Sequence, residues 1–130
     1  GHALDVMYHK YGARIHRELF HSCLNLHHKN PMLKVDLPSA ARINLLHQSN
    51  ENRYVMHLLY GSPIRRGMTY VIEDLVPLKN TTVAFQLPKQ IKSVTLIPGQ
   101  QNLQITKEGS YGYVTIPEFK THCALLFHYF

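Results

Sequence analysis

Ten histidines, two cysteines and eight carboxylates are the side chains on which reactive chemistry could rest in this 130-residue sequence. Cys23 and His27 stand four apart, and Glu18 and His21 three apart. On a helix each pair shares a face, and Glu-x-x-His is the unit from which di-iron carboxylate bundles are built. A metal site needs three or four ligands. No second Glu-x-x-His occurs, nor any Cys-x-x-Cys or His-Glu-x-x-His. The expectation is therefore no metal and no cofactor, with these histidines at surfaces and interfaces. His57 is expected as a hydrogen-bonded core histidine, while His122 and His128 flank the last apolar run with no identifiable partner.

Acid–base cleavage of a glycosidic bond needs two carboxylates facing each other across a cleft. The one adjacent pair, Glu73-Asp74, would point to opposite sides of an extended chain. Glu51, Glu108 and Glu118 read as turn or strand-edge residues. No serine sits in a Gly-x-Ser-x-Gly context, and neighbouring positions on one helix face give Cys23 and His27 poor geometry as a nucleophile–base pair. No glycine-rich phosphate loop is present. No catalytic residue is therefore assigned. Sugar binding by a β domain uses flat aromatic platforms, and here there is no tryptophan. Tyr54, Tyr60, Tyr70, Tyr111 and Tyr113 are the tyrosines expected to be exposed and able to contact carbohydrate, some of them also serving as cross-strand partners. Asn80-Thr81-Thr82 fits the N-glycosylation pattern.

These side chains must be positioned by two kinds of element. Ile15, Leu19 and Cys23 recur every four residues, with Phe20 and Leu24 beside them, which predicts a helix over 12–29. Asn30-Pro31 ends it, because the residue before proline is pushed out of the α region. Residues 1–11 carry little periodic signal. A lone helix of this length is marginal in water, so the stripe Ile15, Leu19, Phe20 and Leu24 is the expected contact surface. Residues 1–31 form either an appendage of the following domain or part of a preceding one.

From Leu33 the period becomes two, and residues 32–130 read as a β domain. Ile43/Leu45, Val55/His57/Leu59, Val83/Phe85/Leu87, Val94/Leu96, Leu103/Ile105, Val114/Ile116 and Cys123–Phe127 mark successive strands. The Val55/His57/Leu59 and Cys123–Phe127 elements are apolar on both faces, as central strands are. Gly61-Ser62-Pro63 and Arg66-Gly67 bound a loop; Pro88-Lys89, Pro98-Gly99 and Glu108-Gly109-Ser110 mark turns. The expected fold is a mostly β, antiparallel β-sandwich of about seven to nine strands with one N-terminal helix.

The formal charge is +6, but the basic residues gather only as Arg14/Arg17, Arg65-Arg66 and Lys89/Lys92. No basic run of the kind that marks a nucleic-acid site is present, so no nucleic-acid partner is expected. No window is apolar enough to span a membrane, and no signal peptide is visible. Two distant cysteines make no disulfide framework and read as a pair of buried thiols behaving as small apolar residues.

Asn52-Arg53-Tyr54-Val55-Met56-His57-Leu58-Leu59-Tyr60, then Arg65-Arg66, then Val71-Ile72-Glu73-Asp74-Leu75-Val76-Pro77-Leu78 resembles the tail of bacterial β-galactosidase-like glycoside hydrolases. Tyr8-His9-Lys10-Tyr11-Gly12 and Pro38-Ser39-Ala40-Ala41-Arg42 are similar to the stretches leading into that tail. The resemblance is strongest from Pro38 to Leu78 and loose after Pro88. It implies a parent with a catalytic barrel, a flavodoxin-like trimerisation domain and a small C-terminal β-sandwich. Only the last part, with a helix from the middle part, would be present here, and none of the barrel's catalytic residues maps onto this chain. What it implies is a non-catalytic accessory domain in a bacterial cytoplasm or periplasm. Its partners would be the other domains of the parent, with homo-oligomerisation through that parent; the alternative is a carbohydrate-binding module with a glycan partner.

Overall fold

The computed structural model describes residues 3–130, and the chain divides into two units between Pro31 and Met32. The first holds two helices, α1 (Leu4–Tyr11) and α2 (Arg14–His27). Gly12 ends α1 in the left-handed region at φ 63°, its N–H donating to the Tyr8 carbonyl at 2.7 Å. That conformation suits glycine, which lacks a Cβ to clash. The expected single helix over 12–29 corresponds to α2, within two residues at each end. The second helix is a correction: α1 spans barely two turns, too few to show a period, and its capping glycine was the signal that could have marked it. Neither helix has a side-chain N-cap, and neither buries a residue.

The second unit begins with β1 (Leu33–Val35), β2 (Arg42–Gln48), a 3-10 turn (Ser49–Glu51) and β3 (Arg53–Leu59). A hairpin of β4 (Ile64–Arg66) and β5 (Thr69–Val71) comes next, then β6 (Leu78–Phe85) and β7 (Ile91–Ile97). β8 (Gln101–Leu103), β9 (Thr106–Glu108), β10 (Tyr111–Phe119) and β11 (His122–Tyr129) complete it. Every pairing is antiparallel. One sheet has the order β1-β6-β10-β9, a second the order β2-β3-β11-β7-β8, and β4-β5 stands as a two-stranded ribbon.

The two large sheets share one core. Val83, Phe85, Val114, Ile116 and Phe119 come from the four-stranded sheet; Met56, Leu58, Val94, Leu96, Cys123, Leu125 and Phe127 come from the five-stranded one. Alternation places these side chains on facing surfaces, and Phe85 meets Phe127 edge to face at 4.9 Å between centroids. Each fully buried Leu, Ile or Phe contributes about 1.5–3 kcal/mol, so the core dominates the stability of this unit. The strands expected to be central from their two apolar faces, β3 and β11, each have two neighbours.

Eleven strands are observed against the expected seven to nine. The additions are three-residue strands, too short to display an alternation. The presumed loop around Arg66-Gly67 is the β4–β5 hairpin. The single strand expected at Leu103/Ile105 is two: β8 pairs with β7 in one sheet, and β9 pairs with β10 in the other.

Candidate functional site

The structure brings His57 and His122 together and leaves the helical candidates with local partners. In α2, Glu18 accepts from Arg14 Nε at 3.0 Å and lies 3.7 Å from Arg17, so its carboxyl is held below its usual range, chiefly by the hydrogen bond to Arg14. His21 pairs with Asn25 at 3.3 Å rather than with Glu18. The burial expected of both thiols is corrected for Cys23, which is exposed on a helix that buries no residue, and holds for Cys123, which is buried in the core, where desolvation pushes its thiol up to about 12. Among the described residues, no group of three or more His, Cys, Asp or Glu is placed to hold a metal ion. No helix among them is long and apolar enough to cross a membrane. Glu73, with Asp74 its sequence neighbour, is engaged by Arg66 through two hydrogen bonds of 3.0 and 2.7 Å.

His57 is half-buried on the outer face of the five-stranded sheet, between the core positions Met56 and Leu58, and so lies outside the core where it was expected. Its Nδ1 is 3.0 Å from His122 Nε2, and the rings stack at 5.3 Å. One ring N–H donates to the bare nitrogen of the other. The partner that could not be read for His122 comes from cross-strand register: His122 lies opposite Leu59, one diagonal step from His57.

The five tyrosines fall in four places. Tyr54 is 6% exposed; its ring stacks on His47 at 4.5 Å between centroids, and burial raises its hydroxyl pKa. Tyr111 is 8% exposed, with Lys34 Nζ 4.4 Å from its ring centroid. The exposure expected for these two is therefore corrected: β-strand alternation shows which residues share a face, but not which face a neighbouring strand covers. Tyr113 is half-buried on the same side of β10 as Tyr111. Tyr70 is exposed on the β4–β5 hairpin.

Tyr60 lines a mainly apolar groove of about 680 Å³ that also includes Arg42, Leu59, Ile72, Leu75 and His122. Leu59, Ile72 and Leu75 are each about half exposed. A smaller pocket of about 220 Å³ opens where the ends of both large sheets meet. Its apolar floor includes Phe85, Ile91 and Ile105, and its polar groups come from Gln86, Lys89, Gln90, Lys107 and Ser110. Gly112 belongs to its wall, where an added Cβ would stand 2.5 Å from Phe85 Cζ, so only glycine lets β10 run this close to that ring.

The stripe Ile15, Leu19, Phe20 and Leu24 is exposed along α2, at 69%, 50%, 54% and 47%. Val6, Tyr8 and Tyr11 add exposed apolar surface on α1. A short helical unit with this much uncovered apolar area needs a partner surface to stay ordered.

Comparison with solved structures gives a likeness over nearly the whole chain. The solved structure of alpha-L-fucosidase isoenzyme 2 from Paenibacillus thiaminolyticus superimposes over 98% of this chain at a TM-score of 0.91, with 32% sequence identity. The match takes in 20% of the fucosidase chain, so this chain spans about one fifth of that protein's length. No family model and no curated protein matches.

Proposed function

We propose that this chain is a C-terminal accessory region of a larger glycoside hydrolase, acting by packing against the rest of its enzyme and carrying no catalytic group of its own. The observation that carries this reading is the near-complete superposition on one fifth of a fucosidase. Glycoside hydrolysis is common to that neighbour and to the β-galactosidase-like resemblance of Asn52–Leu78, so the parent's reaction is assigned at that level. α-L-fucosides are the first substrates to test and β-galactosides the second. The scattered carboxylates support a non-catalytic role: Glu18, Glu73 and Glu118 each form an ion pair on the surface.

The partner is the remaining polypeptide of the same enzyme. The uncovered stripe Ile15, Leu19, Phe20 and Leu24 is its docking surface, and the four fifths of the fucosidase outside the match supply the kind of neighbour that would cover it. The experiment is hydrolysis of aryl α-L-fucoside and aryl β-galactoside by this chain alone, by the whole parent, and by a parent lacking residues 32–130. The expected outcome is turnover by the parent, none by the isolated chain, and a truncated parent that is less stable. Turnover by the isolated chain would overturn the reading.

A second reading, contact with carbohydrate, is favoured by the 220 Å³ pocket, whose apolar floor and polar rim match the two faces of a sugar ring.

A further inference from the structure

We propose that the pocket between Phe85–Ile91 and Ile105–Gly112 binds one anionic monosaccharide unit, a uronate, whose carboxylate is received by Lys89 and Lys107. The proposal rests on the carbohydrate reading above and adds the charge class of the sugar.

Size comes first. About 220 Å³ lies below the roughly 300–1,000 Å³ of sites for drug-sized ligands, which leaves room for a single ring rather than a chain of them. Ile91 and Ile105, only partly buried against the core, offer the apolar surface on which the C–H face of a pyranose can rest. The Gln86 and Gln90 amides and the Ser110 hydroxyl offer both donors and acceptors to ring hydroxyls.

Charge decides the class. Two ammonium groups line the pocket and no carboxylate does. Among the described residues, neither Lys89 nor Lys107 forms an ion pair or side-chain hydrogen bond. Glu108 follows Lys107 along β9, and alternation turns it to the other side of the strand. Two cations lining one pocket without a counter-charge raise the local potential and favour an anion. A carboxylate on the ring can accept from both ammonium groups while the ring fills the floor.

The test is an NMR titration of the 130-residue chain, reading the amides of Gln86, Gly109 and Gly112. The ligands are glucuronate and galacturonate, the neutral hexoses glucose and galactose, and sodium sulfate. The expected result is saturable shifts with a uronate, at least about tenfold weaker binding of the neutral hexoses, and weakening as salt rises. Lys89→Gln and Lys107→Gln should each weaken uronate binding by about 1.5- to fivefold, the range of an exposed charge pair. No saturable shift with either uronate would overturn the site. Neutral hexoses binding as well as uronates would overturn the anionic assignment. Sulfate moving the same amides with equal affinity would overturn the sugar. Each of these failures leaves the packing role untouched, since that role is judged by the hydrolysis and truncation experiment.

Discussion

The two units of this chain solve the same problem in opposite ways. From Met32 onward, apolar side chains from two sheets close on one another, and Met56, Leu58, Val83, Val94, Ile116, Leu125 and Phe127 are fully buried. Up to Pro31, no helical residue is buried, although α2 carries a clear apolar stripe. The β unit supplies its own partner surface; the helical unit leaves its apolar stripe exposed. Amphipathicity records a demand for burial, and the structure shows where that demand is met within the chain.

The largest effect that would sharpen this contrast is expected at Phe127→Ala. Removing a fully buried ring that packs on Phe85 should cost about 3–5 kcal/mol in chemical denaturation followed by far-UV circular dichroism. A cost below 1 kcal/mol would mean that the core is not closed. Next comes Gly112→Ala. Its methyl would meet the Phe85 ring at 2.5 Å, and overpacking of this kind should cost about 1–3 kcal/mol by the same measurement.

Leu19→Asp tests the other side of the comparison. It should lower helicity or self-association of the chain, while changing β-unit stability by less than about 0.5 kcal/mol. Light scattering and denaturation together check it; an unchanged mass with unchanged helicity would remove α2 as a contact surface. The smallest effect is expected at the exposed pair Arg66–Glu73. The hydrogen bond from Arg66 lowers the Glu73 pKa, so the folded value lies below the unfolded one. The pair's contribution is present above the unfolded carboxylate pKa and is lost as pH falls through the folded value. Arg66→Ala should therefore lower the midpoint slightly at neutral pH and leave it unchanged in strong acid.

Thiol labelling gives an independent view of the same divide. Cys23 should react at once, and Cys123 only on unfolding, because it is buried and its thiol is pushed up to about 12. Equal rates for the two would contradict the difference between the units.

Much of this architecture was readable from residue spacing, and what was not has definite causes. Four-residue recurrence from Ile15 to Cys23 marked α2, and alternation marked the long strands β3, β6, β7, β10 and β11. The three-residue strands escaped because alternation needs at least four positions to be seen. The fates of Tyr54 and Tyr111 escaped because β3 is apolar on both faces and because Lys34, distant in sequence, lies against Tyr111. The His57–His122 pair and the lysine-lined pocket are products of register and of segments some 20 residues apart, information that no local window contains.

The passage from β8 to β9 has a mechanical result. Within eight residues, Gln101–Glu108, the backbone gives its first three positions to one sheet and its last three to the other. Sliding one layer past the other would have to break ladder bonds at both ends of this stitch together. The segment thus fixes the relative register of the layers without a covalent crosslink.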